Sequence, residues 1–123
     1  PIFLIGCALG MNQDIIIMDE PTSGMDYKGI KQLAKIVDFL KKEKKTIIMV
    51  SHDLDFISEH FETVMIINHH QCIYQGTFKD VCRDETVLSQ GDYLLPNIAR
   101  LSLKAKNQLC ATHQEWIELW TKR

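Results

Sequence analysis

Residues 15–26 read IIIMDEPTSGMD, and this stretch decides the fold. Four consecutive apolar residues, Ile15 to Met18, predict a strand buried on both faces. The run ends in two adjacent carboxylates, Asp19 and Glu20, and then in Pro21, which cannot extend a central strand. In an open parallel sheet, ligands sit beyond the carboxyl ends of the strands, so an acidic pair at this point is placed to hold a cation or orient a water. Taken alone, the same residues also suit a buried strand that enters a solvated turn.

Working outward from this stretch, Ile30, Leu33, Ala34, Val37 and Leu40 recur at three- and four-residue steps, the stripe of an amphipathic helix. Asp26 is placed to cap its first turn, and lysines 41, 42, 44 and 45 gather at its carboxyl end, where they complement the helix dipole. The β-branched run Thr46 to Val50 predicts a second buried strand that ends at Ser51 and His52. A strand–helix–strand order implies a right-handed crossover, which brings Glu20 and His52 to one edge of a parallel sheet. A purely structural histidine is the other reading of His52.

Downstream, Asp53 is placed to cap a short helix over Leu54 to Phe61, and strands follow at Thr63 to Ile67 and Cys72 to Thr77, joined by a turn at Asn68 to Gln71. His70 stands in that turn where glycine is usual, so left-handed geometry there implies strain. Beyond Thr77 the pattern is helical: a short helix at Phe78 to Arg83, a connector at Asp84 to Gly91, and a helix opened by Leu95-Pro96 with Ile98, Leu101, Ser102 and Ala105 on one face. Thr112 and Glu115 form a capping-box pattern for a terminal helix on which Trp116, Ile117 and Trp120 cluster; they pack back on the domain or meet a partner. Residues Pro1 to Gly10 read as a buried helix that leads into the first strand.

At 123 residues, 46% apolar and 24% charged, the chain suits one soluble globular domain. A net charge of -2 offers no footprint for nucleic acid or an anionic membrane surface, and no apolar run approaches a membrane span. The four cysteines show no CxxC pair and read as buried, reduced thiols. His69, His70 and Cys72 invite a metal site, but a fourth ligand at zinc spacing is missing. The first residue is Pro rather than Met, which suggests a piece of a longer protein.

DEPTSGMD followed by SHD at Ser51 to Asp53 resembles the Walker B, D-loop and switch-histidine region of an ABC-type ATPase. Asp19 and Glu20 match the Walker B pair, Ser23 to Asp26 the D-loop, His52 the switch histidine, and Gln75 to Thr77 the closing hairpin. Gln13 and Tyr27 stand where the family commonly has prolines. The resemblance implies the carboxyl-terminal part of an α/β, RecA-like P-loop NTPase, with residues 1–77 belonging to the ATPase core and residues 78–123 forming a helical extension. From Leu94 to Lys106 that extension is similar, more weakly, to the dimerising tails of the cobalt and energy-coupling-factor importer ATPases.

The same resemblance implies ATP and a magnesium ion (Mg2+) as cofactors. Asp19 would hold the metal, through water; Glu20 would polarise the attacking water; His52 would reach the γ-phosphate; and Ser23 and Asp26 would lie at a dimer seam. Partners would be a second ATPase protomer and transmembrane transporter subunits, with no nucleic acid, at the cytoplasmic face of the membrane, for uptake of a metal ion or vitamin. Neither a GxxxxGK[ST] phosphate loop nor an LSGGQ-like signature occurs in the chain, so by itself it is expected to be inactive. Two other classes compete: an ABC ATPase that serves translation or DNA maintenance, and a truncated dimerisation module built on Leu95 to Trp120.

Overall fold

The computed structural model describes residues 6, 10, 12–91, 94–106 and 108–121. The expected buried helix over residues 1–10 lies outside the described residues except at Gly6 and Gly10, which are helical and exposed. The chain divides into two compact units, Pro1–Asp53 and Leu54–Arg123.

The first unit holds β1 (Ile15–Asp19), α1 (Tyr27–Lys42) and β2 (Thr46–Val50). The two strands pair in parallel, from Ile15 opposite Thr46 to Asp19 opposite Val50. The Glu20 N–H donates to the Val50 carbonyl at 2.8 Å, which carries the ladder one residue past β1. Helix α1 starts where the Asp26 carboxylate accepts the Gly29 N–H at 2.8 Å, so the aspartate satisfies one of the first-turn donors that a helix leaves unpaired. Its apolar stripe buries Leu33, Val37 and Leu40, and burial of each contributes roughly 1.5–3 kcal/mol. Lys45 Nζ reaches both Asn12 Oδ1 and Asp14 Oδ1 at 3.1 Å and ties the entrance of β2 to that of β1.

One expectation fails here. β1 is not buried on both faces: Ile16 and Met18 are buried, but Ile15 and Ile17 are 59% and 70% exposed. β2 is likewise half-exposed, with Ile48 and Val50 bare. Ile17 pairs with Ile48 and Asp19 with Val50, so the bare residues share one face of the pair. A parallel sheet needs cover on both faces, and the described residues supply it on one.

The second unit runs α2 (Leu54–His60), β3 (Thr63–Asn68), β4 (Gln71–Thr77), α3 (Phe78–Val81), α4 (Glu85–Gln90), α5 (Asn97–Lys106) and α6 (His113–Thr121). β3 and β4 form the antiparallel hairpin that the sequence predicts, with a bulge at Ile66/Ile67. Its two-residue turn places His69 at φ 46° and His70 at φ 61°, a backbone that suits Asn-Gly and strains two histidines. At Gly76 a Cβ would come within 2.6 Å of the Tyr74 hydroxyl, so a larger residue there would require the tyrosine ring to move.

Helix α2 is the organiser of this unit. Its Asp55 carboxylate accepts the Asn97 N–H at 2.8 Å and the Asn97 side-chain amide at 2.6 Å, at the start of α5. One turn later Glu59 Oε1 accepts the His113 N–H at 2.5 Å and also meets His113 Nδ1, at the start of α6. Residues i and i+4 of one helix face thus supply acceptors to the first turns of two others.

Several expectations are corrected in this unit. Residues 84–91 are not a plain connector: the Asp84 carboxylate accepts from the Thr86 and Val87 N–H groups and starts α4. The buried face of α5 is Ile98, Ala99 and Ser102, while Leu101 is 56% exposed and Ala105 is exposed. Ser102 sets that rotation, because its buried hydroxyl donates to the Ala99 carbonyl at 2.8 Å and accepts the Cys110 N–H at 2.9 Å. Thr112 Oγ1 accepts the Glu115 N–H as expected, and Glu115 Oε2 in addition accepts the Ala111 N–H at 2.8 Å. Cys82 and Cys110 are buried thiols, whereas Cys72 is exposed.

Candidate functional site

The ends of β1 and β2 bring Glu20 and His52 together. Parallel pairing sets Asp19 opposite Val50, so the next residues, Glu20 and Ser51, leave the ladder side by side. Glu20 then takes φ 44°, a left-handed conformation that non-glycine residues avoid. Glu20 Oε1 lies 3.5 Å from His52 Nε2, and the imidazole is 82% exposed beside it. Oε1 is buried and has no hydrogen-bond partner. Such an oxygen is a costly feature for a purely structural residue and a useful one for a group that must accept a proton.

Ser51 and Thr22 complete the cluster. Ser51 Oγ lies 3.5 Å from Glu20 Oε2 and 3.4 Å from Thr22 Oγ1, and it accepts the Asp53 N–H at 3.1 Å. The motif reading named neither hydroxyl as a site residue. Only the Ser51-to-Asp53 bond has a local signal, because a serine hydroxyl can accept the backbone N–H two residues on.

The remaining expected residues are placed separately. Asp19 is exposed and continues the bare face of β1 that carries Ile15 and Ile17, opposite in alternation to Ile16 and Met18. Ser23 is exposed in the turn after Glu20, its N–H donating to the Glu20 carbonyl at 3.1 Å, and Gly24 at φ 68° supplies the reversal. The Asp26 carboxylate is engaged as the cap of α1. Among the described residues no three His, Cys, Asp or Glu side chains gather as metal ligands, and this includes His69, His70 and Cys72. One exposed carboxylate at a strand end suits a magnesium ion that keeps most of its water and takes its other ligands from phosphate. It does not suit a cation held by protein alone.

A cleft of about 310 Å³ lies elsewhere, lined by Lys79, Cys110, Glu115 and Glu118 among others. It contains none of the expected site residues. Burial would raise the Glu115 carboxyl, but the 2.7 Å bond to Lys79, the amides of Ala111 and Thr112 and the lysine charge outweigh it and hold the group below the usual range. Burial, with Glu115 nearby, pushes the Cys82 thiol up to about 11, so it stays protonated and inert at neutral pH. The described residues include no helix long and apolar enough to cross a membrane.

No protein-family model matches the chain. Its sequence is 34% identical over 93 residues to the energy-coupling factor transporter ATP-binding protein EcfA of Methanococcus maripaludis, across 76% of this chain and 34% of that protein. It is 33% identical over 94 residues to EcfA2 of Staphylococcus aureus, across 76% of this chain and 33% of that protein. The structure of cbiO1 from Clostridium perfringens, part of the ABC transporter complex cbiONQ, superposes with a TM-score of 0.58 at 31% identity, covering 79% of this chain and 39% of that one. The chain therefore spans about a third of the length of the curated relatives it matches. Its fold, an α/β arrangement with a parallel strand pair, is like part of a P-loop NTPase of the ABC type.

Proposed function

We propose that this chain, a homologue of the ABC transporter ATP-binding proteins, is the part of a transport-coupled ATPase that carries its water-activating carboxylate and its γ-phosphate-sensing histidine. The observation that carries this reading is the pairing of Glu20 with His52 at adjacent strand ends, with one buried glutamate oxygen lacking a hydrogen-bond partner. ATP hydrolysis asks little covalent chemistry of a protein; it needs positioning and charge stabilisation. Glu20 Oε1 takes a proton from water as the water oxygen bonds to the γ-phosphorus and the bond to ADP breaks. His52, exposed next to that oxygen, donates to the γ-phosphate. Asp19 would hold magnesium through water, and the ion would supply charge neutralisation to the phosphates.

Ser23 and Asp26 belong to the segment that faces a second ATPase protomer; in this role Asp26 acts through the start of α1, which its carboxylate fixes. Residues 1–77 form the core portion and residues 78–123 the extension. The extension is the self-association segment, because α6 buries none of its residues and leaves Ile117 and Trp120 each 53% exposed. Transmembrane subunits are the other partners, at the cytoplasmic face, and the cargo class is a metal ion or vitamin. The kinship with energy-coupling factor ATPases supports this cargo class over a role in translation or DNA maintenance.

The test is magnesium-dependent ATP hydrolysis by the full-length parent assembled with its membrane subunits. Glu20→Gln and His52→Ala are each expected to lower turnover by roughly 100-fold or more, the scale of a lost general base or transition-state donor. Turnover equal to wild type in both would remove the assignment.

A further inference from the structure

We propose that Ser51 is a positioning residue that fixes one oxygen of Glu20 and so leaves the other as the oxygen that reacts; this deepens the ATPase reading and rests on it. The argument is an inventory of donors. A serine hydroxyl has one proton to give and two lone pairs to fill. Ser51 Oγ already accepts the Asp53 N–H at 3.1 Å, and it faces Thr22 Oγ1 at 3.4 Å and Glu20 Oε2 at 3.5 Å. An ionised carboxylate only accepts, so the proton on Ser51 must serve Glu20 and the proton on Thr22 must serve Ser51. In this one arrangement every contact has a donor and an acceptor, and the chain Thr22 to Ser51 to Glu20 ends on Oε2.

The two carboxylate oxygens are thereby unlike. Oε2 has the Ser51 hydroxyl as a donor at 3.5 Å, while Oε1 is buried, makes no hydrogen bond and lies 3.5 Å from His52 Nε2. The same hydroxyl also shapes the His52 backbone, because the Ser51 Oγ to Asp53 N–H bond closes a turn around His52. Thr22 is buried, at 8% exposure, and the backbone bond from Glu20 N–H to the Val50 carbonyl fixes Glu20 against the residue before Ser51. One side chain thus sets the positions of both groups of the site relative to each other.

The experiment compares Ser51→Ala and Ser51→Thr in the assembled full-length parent, each with wild-type Glu20 and with Glu20→Gln, by single-turnover and steady-state ATP hydrolysis. A hydrogen bond to a charged group corresponds to roughly a 10-fold or greater effect, so Ser51→Ala is expected to lower kcat by about 10-fold with KM for ATP unchanged. Ser51→Thr keeps the hydroxyl and is expected to restore kcat to within about threefold of wild type. In the Glu20→Gln background Ser51→Ala should cost less than about twofold, because its target carboxylate is gone. The inference is overturned by an unchanged kcat in Ser51→Ala, by a loss that Ser51→Thr does not restore, or by an equal loss in the Glu20→Gln background. If Glu20→Gln itself turns over like wild type, the ATPase reading fails and takes this inference with it; if Glu20→Gln is dead while Ser51→Ala is silent, only this inference fails.

Discussion

Glu20 and His70 are both held at positive φ, but their surroundings differ. At His70 the side chain is exposed in a hairpin tip, and the left-handed backbone serves the turn alone. His70→Gly should therefore stabilise the protein by up to about 1 kcal/mol, read as a higher melting temperature with activity retained. A lower melting temperature would show that the imidazole contributes contacts that outweigh the strain. At Glu20 the same backbone turns a carboxylate towards Ser51 and His52, so strain there is part of the site. Asp19, Glu20, Ser23, Asp26 and His52 could all be named from the sequence because they stand in a linear motif. The hydroxyl cluster of Thr22 and Ser51 could not, since it depends on a contact between residues 29 apart that only strand pairing creates.

At the scale of elements, α2 supplies cap contacts to the tail helices that the sequence did not announce, although their starts were legible. Its acceptors reach Asn97 and His113, which lie 42 and 54 residues away in sequence, so no local pattern announces them. Local signals did succeed where partners are near, as with Asp26 at α1 and Thr112 at α6. Glu59→Ala and Asp55→Ala should each cost about 1 kcal/mol, the scale of a lost cap, and speed amide hydrogen exchange in the first turns of α6 and α5 respectively. Exchange unchanged at His113 in Glu59→Ala would contradict the cap. A second tie, Glu115 to Lys79, is acid-sensitive. The Glu115 carboxyl is lowered on folding, so its stabilisation is complete above the ordinary glutamate value of 4.5 and is lost as pH falls below it through the folded value. Both side chains are more than a third exposed, so the effect is small, of the order of a few tenths of a kcal/mol. Amide protection in α6 should decline over that acid range in wild type and show no such decline in Glu115→Gln.

Over the whole molecule, the main departure from the sequence reading is the bare sheet face. An apolar run such as Ile15 to Met18 correctly announces a strand of a parallel sheet, but which faces are covered depends on elements far from it in sequence, and the described residues cover only one. Ile15, Ile17, Ile48 and Val50 together form an exposed apolar patch, a feature that drives association in water. Ile17→Thr with Ile48→Thr should lower light scattering by this 123-residue chain at a given concentration, with little change in helix content by circular dichroism. Equal scattering would place the sticky surface elsewhere, with the exposed Ile117 and Trp120 as the next surface to test.

The central claim, that Glu20 presents a proton-accepting oxygen to water in an ATP site, is tested most directly by measuring binding and turnover of magnesium-ATP on the same sample of full-length Glu20→Gln assembled with its membrane subunits. The account predicts that ATP binds within about threefold of wild-type affinity while turnover falls by about 100-fold or more, because the substitution keeps the shape and removes the base. Wild-type turnover in Glu20→Gln would contradict it.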